Sequence, residues 1–275
     1  MKSFFRTYTN WIILINVFLF LVFSLLAGIF GQDAVFSNIA LQPSSILSGE
    51  KLWTIITSMF MHGGVLHLLF NMFSLFFVGN FVERIVGKKR FLVFYILSGI
   101  FAGIFFSLVS GIFGNFVVGA RLFGNPNIYG VGASGAIFGL IGLLAILTPY
   151  NKIYLVAGPL IAIIIQAILD SVIKNSAIVS VIDIVLTIYI LSSIFFLFSF
   201  NPKLRKIALA LEMSFWVLPI IAIVPLLIIG LFIELPIGNA AHIGGLLAGL
   251  IYGFYLKTKY PKKTMMISHM FSGRR

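Results

Sequence analysis

The chain has 275 residues, 60% of them hydrophobic and only 9% charged, with a mean hydropathy of +1.13. A water-soluble domain carries about a quarter charged residues, so this composition excludes one and makes lipid the solvent. Cysteine is absent, which excludes disulfides, iron–sulfur ligation and thiol catalysis. The net charge of +12 sits in short gaps between long apolar runs, a topological pattern that speaks against nucleic-acid binding.

A helix that crosses a bilayer takes about 20 mostly apolar residues. Eight runs approach that length, at about 9–30, 63–83, 91–114, 133–149, 152–173, 178–200, 213–234 and 240–258. The unpaired backbone of an open strand is untenable in lipid and no run shows the alternation of a barrel, so all eight are predicted as helices. The expected fold class is therefore an all-α polytopic membrane protein.

Lys2 and Arg6 precede the first run, as in a signal peptide, but the run exceeds a signal peptide's apolar core and no clear A-x-A site follows. It is expected to be a retained helix. The connection at 31–62 contains Trp53, Phe60 and Met61 and is expected to lie in the membrane interface. No repeat, low-complexity tract or soluble domain is visible, so residues 1–275 read as one membrane domain with a basic tail over 259–275.

Lysine and arginine in short loops set orientation. With eight spans, Lys2, Arg6, Arg84, Lys88, Lys89, Arg90, Lys152, Lys203, Arg205, Lys206 and all six beyond residue 256 share one side. Only Lys51, Arg121 and Lys174 fall on the other. Both termini are expected in the cytoplasm, and the membrane is expected to be the cell membrane.

Polar groups inside spans are costly, so each is a candidate for function. His62, His67 and Asn71 begin the second run; His67 and Asn71, four apart, share a helix face, either bonding each other as packing glue or serving a site. Ser134, in Gly132-Ala133-Ser134-Gly135, stands at the outer start of the fourth run. Unpaired N–H groups and the positive helix end there can stabilise an oxyanion, although small residues such as Gly135 and Gly139 equally serve close helix packing. His242 precedes a glycine stripe, Gly245, Gly249 and Gly253, which permits close contact with the Ser134 helix and would bring the imidazole towards the hydroxyl as a general base.

Other protease chemistries lack their residues. No H-E-x-x-H occurs, and the aspartates are only Asp33, Asp170 and Asp183, of which only the last two are near spans and neither has the glycine-rich flanks of an intramembrane aspartyl site. No acid is evident to orient His242, which favours a dyad over a triad.

Three motifs in order, His62-x4-His67-x3-Asn71, Gly132-x-Ser134-Gly135 and Ala241-His242-x2-Gly245-x3-Gly249, with Glu83-x3-Gly87, make the chain resemble the rhomboid family of intramembrane serine proteases over roughly 50–149 and 207–258. The resemblance implies a six-helix core, with 152–200 as an inserted two-helix hairpin, and a Ser134–His242 catalytic dyad. It implies that the Ser134 N–H, His67 and Asn71 form the oxyanion hole, and that His62, Gly132, Phe138, Gly245 and Gly249 are structural or cavity-lining. Phe138 stands where the family often has tyrosine, and Thr54 follows Trp53 where arginine is common. Substrates would be transmembrane proteins cut within the lipid bilayer, and neither a cofactor nor a metal is implied. The alternative reading is a catalytically inactive relative that binds membrane clients.

Overall fold

A computed structural model describes residues 7–173, 176–197, 209–233, 235 and 237–271, and helices dominate them. Three helical stretches, Tyr8–Phe30, Val65–Val86 and Lys88–Phe113, are long and apolar enough to cross a membrane, and shorter apolar helices include Ser134–Leu147 and Leu218–Gly230. The first, α1 (Tyr8–Phe30), starts at an N-cap where the Thr7 hydroxyl accepts the Asn10 N–H at 3.3 Å. Phe18, Leu21 and Leu25 are each more than 60% exposed. Water would not tolerate that face, whereas hydrocarbon does.

The connection after α1 carries three short helices, α2 (Gln32–Ile39), α3 (Pro43–Leu47) and α4 (Thr54–Thr57). The Trp53 indole N–H donates to the Asn38 carbonyl at 2.9 Å, which ties α4 to α2, while Leu41 pairs with Gly130 across the connection. Then come α5 (Val65–Ser74), a π-helical stretch (Leu75–Gly79) and α6 (Asn80–Val86) as one rod. Near its C-terminal end the buried Glu83 carboxylate accepts the N–H groups of Tyr8 and Thr9 at 2.9 Å each and the Thr9 hydroxyl at 2.7 Å. One side chain thus satisfies the unpaired start of α1 and fixes the two rods together.

Further on lie α7 (Lys88–Phe113), α8 (Val117–Phe123) and α9 (Ser134–Leu147). Eleven of the 14 residues of α9 are buried, as expected of a helix apolar on all sides. After α9 come β1 (Lys152–Val156), α10 (Ala157–Val172), α11 (Ser176–Leu197) and β2 (Ala210–Ser214). The chain continues with α12 (Leu218–Gly230), α13 (Asn239–Lys259) and α14 (Pro261–Phe271).

Helical segments occupy all eight predicted runs, with two differences at their ends. Residues 152–156 form a strand, antiparallel to 210–214 in the register Lys152↔Ser214 to Val156↔Ala210, and the helices following the strands begin only at Ala157 and Leu218. The ladder pairs the inward-facing backbone groups of the two strands, and Pro219 marks the first turn of α12. Part of the expected basic tail is the helix α14. Residues 1–6, 198–200, 234, Lys174 and the basic 201–206 loop lie outside the described residues.

At the centre, α7, α9 and α13 pack against one another, most closely α9 against α13. An added Cβ on Gly245 would collide with the Gly135 carbonyl, one on Gly249 with the Gly139 carbonyl, and one on Gly253 with the Ile146 side chain. Glycine at four-residue spacing therefore brings the α13 and α9 backbones into contact.

Candidate active site

Ser134 opens α9. Ahead of it, Gly132 adopts φ +119°, where side chains are strained, and donates its N–H to the Ser58 carbonyl at 2.8 Å. A Cβ at Gly132 would lie 2.8 Å from His67 Nε2 and 3.5 Å from Asn71 Nδ2. Glycine therefore leaves open the space between the start of α9 and these two polar side chains of α5. Intrahelical bonding begins with Ile137 N–H to Ala133 at 3.1 Å, so the N–H groups of Ser134, Gly135 and Ala136 have no acceptor within the helix.

His242 occupies the first turn of α13, and its Nε2 stands 2.9 Å from Ser134 Oγ although the two are 108 residues apart. The Phe138 ring stacks on the imidazole, with centroids 4.2 Å apart and planes 13° from parallel. Phe138 is four residues beyond Ser134, so one face of α9 carries both the hydroxyl and the ring on which the histidine rests. Gly245, three residues after His242, supplies the close approach of the helices. His242 Nδ1 has no hydrogen-bond partner among the described residues. No third, acidic member completes the pair there.

On α5 the Asn71 amide donates to the His67 carbonyl at 3.1 Å, so the two side chains do not bond each other, and both face Gly132. His62 is buried and meets the His67 ring edge-on, with centroids 5.1 Å apart, and its two ring nitrogens have no partner among the described residues. His67, Asn71, Gly132, Ser134, Phe138 and His242 line one cavity of about 1970 Å³. Gly245 and Gly249 lie instead in the helix contact. Among the described residues no cluster of histidine and carboxylate side chains could hold a metal ion.

Among the lining groups not singled out in the sequence, two come from the expected hairpin. Ile163 and Gln166 of α10 reach the same cavity. Gln166 had a signal, as the only polar side chain between Ala157 and Leu169, but nothing local says which way it faces.

The helices and their exposed apolar faces define an integral, polytopic membrane protein of all-α class. A family model described as the Rhomboid domain matches residues 49–191 and 186–259, and the chain belongs to the rhomboid family. It is 32% identical over 146 residues to the Rhomboid protease GluP of Bacillus subtilis, an alignment covering 53% of this chain and 25% of that protein. It is 42% identical over 98 residues to the Putative rhomboid protease YdcA of the same organism, covering 36% and 42%. It is also 35% identical over 100 residues to the Inactive RHOMBOID-like protein 8 of Arabidopsis thaliana, covering 36% and 24%. The chain thus spans less than half the length of each.

Proposed function

We propose that the protein is an intramembrane serine endopeptidase that hydrolyses peptide bonds in or near the transmembrane segments of other membrane proteins. The 2.9 Å approach of His242 Nε2 to Ser134 Oγ carries this reading. His242 takes the hydroxyl proton as Ser134 Oγ attacks the scissile carbonyl, and the tetrahedral oxyanion forms beside the Ser134 N–H, His67 and Asn71. As the C–N bond breaks, His242 returns the proton to the leaving amine and leaves an acyl-enzyme ester. A water deprotonated by His242 then attacks the ester and restores Ser134. This chemistry draws on no metal or cofactor.

The lysine and arginine distribution supports a cell-membrane protein with both termini in the cytoplasm, so that Ser134 lies towards the opposite face. The chain reads as one domain in which 152–200 is an added hairpin within a six-helix core. The strand pair β1–β2 that brackets α10 and α11 supports that division.

A second reading is an inactive, client-binding rhomboid, since one relative carries "Inactive" in its name. The presence and spacing of Ser134 and His242 favour the enzyme. Cleavage of a tagged single-span protein in liposomes by wild type, but not by folded Ser134→Ala or His242→Ala, would establish the peptidase. Equal cutting by all three would remove the dyad. No cutting, together with no labelling of Ser134 by a fluorophosphonate, would favour the inactive reading.

A further inference from the structure

The cavity at the dyad extends well beyond it. Besides Ser134 and His242 it is lined by Phe138 and Ile141 on α9, by Phe73 and Phe77 of the second rod, and by Ala222 and Leu226 of α12. Ile163 and Gln166 of α10 line it as well. These two residues are three apart and share a helix face. The helix α10 also packs on α11, whose Ile178, Val181, Val185 and Ile188 are more than half exposed, as suits a face turned to lipid. Thus α10 borders the cavity through one face and also packs on α11.

Size and polarity indicate what such a space holds. At about 1970 Å³ it is larger than the pocket of a typical small-molecule site. A helix about 10 Å wide and about 20 Å long occupies roughly 1,600 Å³. The walls between the dyad and α10 are mostly aromatic and aliphatic, like the surface of a membrane-spanning helix, with Ser74, Lys152 and Gln166 as polar lining groups. Of these, Gln166 belongs to α10. Its amide has two donors and one acceptor oxygen, it sits in the middle of an apolar helix, and it has no hydrogen-bond partner among the described residues. A polar group left unpaired at that depth is costly.

We propose that α10 forms the far wall of a groove that seats one transmembrane helix of the client, and that Gln166 selects clients by hydrogen-bonding an Asn, Gln, Ser or Thr side chain at its own depth. This rests on the reading of the dyad as a proteolytic site and assigns α10 a specificity-determining role within it. The client helix lies along Phe73, Phe77 and Leu226, with its outer end unwound towards Ser134. Its carboxamide or hydroxyl meets Gln166 within the groove.

The absence of cysteine makes the test direct. In the full-length Ser134→Ala chain, Gln166→Cys supplies a single thiol. In liposomes it is paired with a synthetic single-span peptide of about 20 leucine and alanine residues, bearing one asparagine and one cysteine moved stepwise along it. Disulfide adducts are expected from Gln166→Cys at peptide positions three or four residues apart, and none from Ile178→Cys on the lipid face of α11. In the active chain, Gln166→Leu should raise KM for the asparagine peptide about threefold to tenfold. Gln166→Asn should restore most of that loss, and an asparagine-free peptide should not register the change.

No adduct at any position, equal adducts from Ile178→Cys, or Gln166→Cys pairing with a second copy of itself in place of the peptide would overturn the proposal. So would a KM rise of equal size on the asparagine-free peptide. The adducts are read without catalysis. Their presence alongside an uncut peptide and unlabelled Ser134 would sink the peptidase reading while the groove stood.

Discussion

Gly245 of α13 lies directly against the carbonyl of Gly135 of α9, so close that a single added methyl group could not be placed between them. Gly135 follows Ser134 and Gly245 is three residues beyond His242, so this backbone contact sets the separation of hydroxyl and imidazole. Widening it moves one reacting group relative to the other. Gly245→Val is expected to lower kcat for a single-span substrate at least about a hundredfold, because misplacement near 1 Å costs on that order. It should also cost about 1–3 kcal/mol of stability through overpacking. Gly28→Ala, on α1 with nothing within 4 Å of the added carbon, should leave both unchanged. Cleavage in liposomes with thermal unfolding in detergent checks the pair, and a fully active Gly245→Val would show that the contact does not set the dyad.

The stack of Phe138 on His242 has the ring face as its working part. Phe138→Tyr keeps that face and should stay within about threefold of wild type. Phe138→Ala should lose about tenfold in kcat/KM, matching the roughly 0.5–1.5 kcal/mol of an aromatic pair. Equal activities for the two variants would mean that the imidazole is held by something else.

His67 and Asn71 face the start of α9 from across Gly132. If they donate to the oxyanion, their effect is confined to the transition state. His67→Ala should therefore lower kcat by about 10²–10³ with little change in KM. An unchanged kcat would remove His67 from that role. Gly132→Ala forces a side chain into a positive-φ position and drives its Cβ to within 2.8 Å of His67 Nε2. It should lose activity even though it deletes no polar group.

The Glu83 carboxylate receives two N–H groups and a hydroxyl from the first turn of α1. Glu83→Gln replaces one accepting oxygen by a donor and sets it against N–H groups, at an expected cost of about 1–3 kcal/mol. Thr9→Val removes only the hydroxyl bond and should cost less. Unfolding in mixed detergent micelles ranks the variants, and the double mutant should fall short of the sum because the two sites share a partner.

Hydropathy located the helices because lipid imposes one requirement on every residue of a span, and a one-dimensional count of apolar residues measures it. The motifs likewise marked Ser134, His242, His67 and Asn71 as exceptions in an apolar chain, and the glycine stripe of α13 announced a close helix contact. Other features depended on partners far away in the sequence. Residues 152–156 are as apolar as a helix start, and only their ladder with 210–214 makes them a strand. Ser134 and His242 become a pair because two helix backbones touch at Gly135 and Gly245. Gln166 becomes a cavity group because α10 turns that side inward, which no local pattern encodes. Solvation is a property of single residues and can be read along the chain. Proximity belongs to pairs of residues, and only the packed structure decides it.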